Sequence, residues 1–261
     1  MKLTIVGSGT GIIRKERKGP CFLLETNNQN LLFDCGWGCL DNLLKIGIDL
    51  NNLDQIFISH SHSDHLSNLI PILQSTLITQ SFFPDKKRTK DLIIHACKGF
   101  KNDYEILRKI FFPERFETYK IEIHEHCQDK EIIKGIEIIT SPVTHVPQYF
   151  PSVAFRINSE GKSFTYSGDC KYNEDIIKLA KLSDALLIDC SIPINSFKTH
   201  GPFPTHLSPF EAGEIGKMAE VKSLIVFHLY DIDSKEEIKK EIQKNYNGRI
   251  IVPDDLEEII I

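Results

Sequence analysis

Three imidazoles and one carboxylate stand within six positions of this chain, in Ser59-His60-Ser61-His62-Ser63-Asp64-His65-Leu66. Neutral imidazole and carboxylate are the donors that suit zinc, iron or manganese, and a run holding both invites a site for more than one ion. The run follows a β-like stretch, Gln55-Ile56-Phe57-Ile58, and precedes a helix-like one, Leu66 to Ser75. Side chains alternate along a strand, so His60 and His62 point the same way as the strand gives out. Asp64 and His65 then fall where the next helix begins and face back toward the same point.

A two-metal site needs about four to five ligands per ion, so others must come from strand ends elsewhere. Three residues stand where strand-like runs stop. His145 follows Ser141-Pro142-Val143-Thr144, Asp169 ends Tyr166-Ser167-Gly168-Asp169, and His228 closes Leu224-Ile225-Val226-Phe227-His228. The glycine before Asp169 lets the backbone turn so that the carboxylate projects. His124 and His126 repeat the His-x-His spacing, but no Asp-His pair follows them as one follows His62, and they read as a strand's exposed face.

Composition is that of an ordinary soluble domain: 261 residues, 41% hydrophobic and 26% charged. The net charge of −5 argues against binding nucleic acid through overall charge. No apolar run approaches the ~18 residues of a membrane span, and Met1-Lys2-Leu3-Thr4 runs straight into a strand with no apolar signal segment, so a cytoplasmic location is expected. Seven cysteines without a Cys-x-x-Cys pair argue against a disulfide framework and read mostly as small buried hydrophobes. Cys170, directly after Asp169, is either packing or a site neighbour.

Lys2 to Val6 reads as a strand ending in Gly7-Ser8-Gly9-Thr10-Gly11, which lacks the third glycine of a dinucleotide fingerprint and reads as a tight turn. Further strands are expected at 21–26, 30–34, 92–95, 119–126, 131–140, 152–158, 162–166, 185–189 and 223–227. Helices are expected at 36–46, 100–110, 174–182, 208–219 and 235–245, and a Pro-rich loop at 192–207. Ser208, Pro209 and Glu211 make a capping box with proline. With no composition break, residues 1–261 read as one domain, and strand-then-helix order in each half suggests two sheets packed face to face with helices outside.

His-x-His-x-Asp-His at a strand end is the signature of the metallo-β-lactamase superfamily, and this sequence resembles that superfamily here and in the order of its later motifs. The resemblance implies an αββα sandwich of two mixed sheets, with metals along one edge. His60, His62 and His145 would hold one divalent ion, Asp64, His65 and His228 a second, and Asp169 would bridge them; zinc is expected, with manganese or iron as alternatives. Two such ions lower the pKa of a shared water and give a hydroxide nucleophile that Asp64 orients. Asp34, in Leu31-Leu32-Phe33-Asp34-Cys35-Gly36, is either a buttress for a ligating histidine or a turn-former. His206, in Pro204-Thr205-His206-Leu207-Ser208, looks like the histidine that related phosphodiesterases place near the scissile phosphate. It is the expected general acid or oxyanion donor, oriented by Asp189 or a loop group, with His200 a weaker candidate.

Within the superfamily the sequence is most similar to the ribonuclease Z-like branch, through its Gly-Ser-Gly-Thr start, its Ser-Gly-Asp motif and the histidine before the late helix. Ribonuclease Z reaches tRNA with a long arm between the third histidine and the bridging aspartate; here that interval is 169 − 145 = 24 residues. Nor does Leu229-Tyr230-Asp231 match the Ser-x-Arg-Tyr ending of that enzyme, Asn68 stands where many relatives have glycine, and Cys170 replaces a more usual threonine. The expected function is therefore an arm-less hydrolase of a small-molecule phosphodiester or cyclic phosphate, with Trp37, Tyr149, Phe150 and Phe203 lining its mouth. Three alternatives stand beside it: a tRNA 3′-processing nuclease gripping RNA with the basic run at 86–90, a thioester, lactone or β-lactam hydrolase, and a non-catalytic metal protein. The sequence is compatible with a homodimer and points to no membrane partner.

Overall fold

Nearly continuous apolar strands need cover on both faces, and the fold supplies it. The computed structural model describes residues 1–111 and 119–261. The first half lays down β1 (Lys2–Gly7), β2 (Cys21–Thr26), β3 (Gln29–Phe33), β4 (Gln55–Ile58), β5 (Leu92–Cys97) and β6 (Ile121–His126) in sequence order across one sheet. The second half builds the other sheet from β7 (Lys130–Ile133), β8 (Ile136–Val143), β9 (Ser152–Ser159), β10 (Lys162–Tyr166), β11 (Ala185–Asp189), β12 (Ser223–Phe227) and β13 (Arg249–Ile251). The last strand, β14 (Glu258–Ile260), returns to pair antiparallel with β1.

Both sheets follow one plan. Hairpins come first, β1 to β3 and β7 to β10, and parallel strands follow, β3 to β6 and β10 to β13. Parallel neighbours require crossovers, which are mostly helical. α1 (Cys39–Lys45), α2 (Ser63–Leu66), α3 (Leu69–Phe82) and α4 (Phe100–Phe111) serve the first sheet, and α5 (Glu174–Leu179), α6 (Ile194–His200), α7 (Pro209–Met218) and α8 (Lys235–Ile242) the second.

An aromatic layer lies between the sheets: Phe22, Phe33, Phe57, Phe155, Phe164, Tyr166 and Phe227 are fully buried there, with Phe33 stacked on Phe57 at 4.5 Å. Leu69, Leu73 and Leu77 of α3 pack on the outer face of the first sheet, and Ala212 and Ile215 of α7 on that of the second. The result is the four-layered αββα sandwich that the resemblance implied. No helix among the described residues is long and apolar enough to cross a membrane.

The apolar alternation expected over 131–140 is two strands, because Lys134 and Gly135, both at positive φ, turn the chain between β7 and β8. The Pro-rich stretch expected as loop contains α6, α3 runs on past Ser75 to Phe82, and β13 and β14 lie in segments where no strand was expected. Ser208 does cap α7 as expected, with its side chain and Glu211 bonded reciprocally.

Strand direction decides where chemistry can sit. Asp34 follows β3, Ser59 and His60 follow β4, Asp169 follows β10, Asp189 ends β11 and His228 follows β12, all at carboxyl ends of parallel strands. β8 lies two antiparallel steps from β10 and so runs its way, bringing His145 to the same edge. Ligand sites of open α/β sheets lie outside such ends.

Candidate metal centre

β4 stops at Ile58, and His62 holds extended backbone (φ −65°, ψ 146°) immediately before α2, so Asp64 and His65 fall in the first turn of that helix. Gly36 allows α2 to sit this close, since a Cβ there would lie 1.9 Å from the Asp64 carbonyl oxygen. Gly168 has φ +58°, and a Cβ on it would meet the Ser59 side chain at 2.7 Å; this bend turns the Asp169 carboxylate toward the histidines. Asp34 and His228 also hold left-handed backbone, φ +53° and +64°. Such conformations cost non-glycine residues roughly 1–3 kcal/mol and cluster at functional sites.

The seven expected ligands come together. His62 Nδ1 lies 3.0 Å from His60 Nε2 and 3.1 Å from His145 Nε2. Asp64 Oδ2 lies 3.3 Å from His228 Nε2 and 3.7 Å from His65 Nε2. Asp169 Oδ2 stands between the two sets, 3.3 Å from His65 Nε2, 3.3 Å from His228 Nε2 and 4.0 Å from His60 Nε2.

Partners behind the rings fix which nitrogens face inward. His145 Nδ1–H donates to the Thr205 carbonyl at 2.9 Å and His65 Nδ1–H to Asp34 at 2.6 Å, so both Nε2 atoms present lone pairs to the centre. His60 Nδ1 is held by Ser59 Oγ at 2.9 Å, which itself donates to Asp34 at 2.8 Å. His65 Nε2 and Asp169 Oδ1 are buried with no hydrogen-bond partner among the described residues. Burial pushes the pKa values of His60, His62 and His145 down, keeping them in the neutral form that ligates. Burial also opposes charge on His65, but Asp169 and Asp34 outweigh it and hold this imidazole well above its usual range. The position calls for positive charge. Inward lone pairs, orphaned acceptors and buried carboxylates fit a metal cation.

Asp34 is the buttress foreseen as one of two roles. It accepts from the Ser59 amide and hydroxyl, both at 2.8 Å, from His65 and from the Tyr166 hydroxyl. Asp34→Asn is expected to weaken metal binding 10–100-fold, roughly the usual loss when such a partner is changed. Zinc titration against a chromophoric chelator measures this, and an unchanged affinity would reject the role.

His206 Nδ1 is 2.7 Å from Asp189 Oδ2, and its ring stacks on that of His228 at 5.1 Å and lies 4.7 Å from that of His145. Burial disfavours its charged form, but Asp189 overcomes this and raises it to about 9. Of the expected aromatics, Phe150 reaches the centre, 4.7 Å from His62 by ring centroids; the Trp37 indole is instead tied to the Thr10 carbonyl at 3.0 Å. Tyr149 is exposed, and the Phe203 ring lies 6.5 Å from that of His200, the last residue of α6. Cys170 is fully buried in the outer core of the second sheet, which is packing.

Two contributors were not foreseen. The turn after β1 borders Asp64, with a Cβ on Gly11 falling 3.4 Å from its carboxylate, and the Tyr230 ring lies 6.3 Å from His228. The expectation for His124 and His126 is overturned: His126 is buried, with a second histidine and two carboxylates around it that the sequence had kept apart. Two of the four cations of the basic run are committed to the fold. Arg88 is buried, donating to the Asn51 and Asp91 carbonyls, and Lys90 pairs with Asp54 at 2.7 Å.

Among curated proteins, the chain is 27% identical over 281 residues to the Ribonuclease Z of Mycobacterium bovis (strain BCG / Pasteur 1173P2), covering 99% of this chain and 98% of that protein. It is 26% identical over 252 residues to the probable metallo-hydrolase YhfI of Bacillus subtilis, covering 96% of each. The crystal structure of YhfI, a metallo-β-lactamase fold protein, superposes with a TM-score of 0.81 at 19% identity, over 99% of this chain and 98% of the other. A diphosphatase from the PhnP family superposes with a TM-score of 0.74 at 19% identity, over 99% and 96%. The family described as Anti-Pycsar protein Apyc1 matches residues 1–210. With that match over most of its length, the chain belongs to the Anti-Pycsar protein Apyc1 family, in the ribonuclease Z-like branch of the metallo-β-lactamase superfamily.

Proposed function

We propose that this metallo-hydrolase is a phosphodiesterase for small phosphodiesters or cyclic phosphates, with two divalent ions, zinc foremost, as cofactors. His60, His62 and His145 would hold one ion and Asp64, His65 and His228 the other, with Asp169 as the ligand common to both. Bound ions would supply Lewis acidity at the phosphoryl oxygens and a water acidified to near neutrality. Asp64 Oδ2, beside His65 and His228, is placed to orient that water. His206 is the proton donor for the leaving oxygen: Asp189 holds its Nδ1 and leaves Nε2 for the substrate. Phe150, against His62, shields one wall from water and offers an apolar face to a ring on the substrate.

The observation that carries the substrate class is the stretch between His145 and Asp169. Most of its residues fall in β9 and β10, both paired within the sheet, so this stretch carries no arm to grip a folded RNA. Of the four cations at 86–90, Lys86 and Lys87 remain exposed, too few for a strong phosphate grip. The names of two similar proteins, a diphosphatase and a ribonuclease, both describe cleavage at a phosphoryl group.

The test is turnover of bis(p-nitrophenyl) phosphate, cyclic nucleotides, precursor tRNA and a thioester by one preparation whose metal content is counted. Hydrolysis of the small phosphodiesters is expected. Two equivalents of metal with those substrates intact would reject the reading, and cleavage of precursor tRNA alone would transfer it to the nuclease class.

A further inference from the structure

His95, on β5, has no exposed surface and lies in the aromatic layer between the sheets, its ring stacked on Phe57 at 4.4 Å. An imidazole buried there must have both nitrogens satisfied. One is settled by a chain of amides that starts from an obligate acceptor. The Lys134 carbonyl accepts from Gln29 Nε2 at 3.0 Å, Gln29 Oε1 accepts from Gln55 Nε2 at 2.9 Å, and Gln55 Oε1 accepts from His95 Nε2–H at 2.8 Å. Each orientation follows from the one before. His95 Nδ1 therefore carries a lone pair.

That lone pair meets another. His126 donates Nδ1–H to the Asp129 carboxylate at 2.9 Å, itself held by the Thr140 hydroxyl, so His126 Nε2 is also an acceptor. The two bare nitrogens face each other at 2.9 Å, and Glu131 Oε1 lies 3.3 Å from each. His124 Nδ1, 3.0 Å from Glu131 Oε2, holds the carboxylate from behind. Three acceptors converging, two of them on buried histidines, repel one another unless a cation lies among them. A shared proton would answer only at the cost of an imidazolium in the core.

We propose that His95 Nδ1, His126 Nε2 and Glu131 Oε1 form a second, mononuclear site for a transition-metal cation of the zinc class. A tetrahedral zinc with ~2.0–2.1 Å bonds spaces its donors about 3.3 Å apart, close to the separations already present. Each ligating histidine has an acceptor on its far nitrogen, the pattern that orients metal-bound imidazoles. His126, Glu131, His124, Lys98 and Lys101 line a surface cleft, through which the ion enters and a water completes its shell. The ligands join β5 and β6 of one sheet to β7 of the other, so the ion fastens the two sheets at their shared edge.

The test counts zinc after gel filtration in the parent, Glu131→Gln, His126→Gln and Asp169→Ala, each checked for its fold by circular dichroism. Glu131→Gln and His126→Gln should each hold one equivalent less than the parent, and Asp169→Ala should still gain Tm when zinc is added while Asp169→Ala/Glu131→Gln does not. Equal counts in the parent and Glu131→Gln would overturn the site, marking any surplus zinc as adventitious. If both site variants unfold, the Asp169→Ala chain decides alone: no retained zinc and no zinc-dependent Tm overturns it. Failure of the dinuclear reading looks different, because Asp169→Ala would then match the parent.

Discussion

Asp169→Ala is expected to release both ions of the dinuclear centre and reduce phosphodiester turnover to background. Asp169 has one oxygen within 3.3 Å of inward nitrogens on His65 and His228, and it also groups with His60, His62 and His145. Among the described residues, no other is proposed for both ligand sets. Without its charge, five inward-facing imidazoles share only Asp64 as an anionic partner, too little to hold two dications against chelation. Elemental analysis and product release on the same sample check this. A folded variant that keeps two equivalents and more than a tenth of the parent rate would remove Asp169 from the bridging position.

His206→Ala should behave in the opposite manner, keeping both ions and slowing turnover by about 10²–10⁴-fold, the usual weight of a positioned proton donor. The loss should depend on the leaving group. An alkoxide needs a proton as its bond to phosphorus breaks, whereas p-nitrophenolate leaves unaided, so the variant should be far less impaired on p-nitrophenyl esters. A histidine that merely shaped the loop would slow both alike, and equal losses would exclude the assigned role. Asp189→Asn should follow His206→Ala, and the double variant should be no slower than the worse single one, since the two act as a unit.

The candidate metal centre was legible because its residues follow strands or open the short helix after one, and strand ends announce themselves by apolar runs that stop at a polar residue. His228 after Leu224-Ile225-Val226-Phe227 is the clearest instance. His95 was illegible for the converse reason. It sits inside the apolar run Leu92 to Cys97, where one polar residue looks like an interruption, and its partners arrive from β6 and from β7 beyond a turn. Nothing local to His126 tells that Glu131, five residues on, folds back across it. α6 escaped notice because prolines flank it, and the border made by Gly11 because a glycine contributes only backbone. Charge patterning marks 86–90 as a solvated run, and Lys86 and Lys87 are exposed, but it gives no sign that Arg88 serves as a buried clasp over Tyr119 at 5.0 Å.

The seven candidate ligands lie at the edge of two sheets whose inner faces meet through a layer of aromatic and aliphatic side chains. Cations seated there bind the native chain and not the dispersed one, so each contributes to its persistence by mass action: about 2.7 kcal/mol at a free concentration one hundred times its dissociation constant. With zinc as the proposed cation, starving a cell of it would shorten the lifetime of this protein as well as silence the proposed activity, making abundance a readout of metal supply.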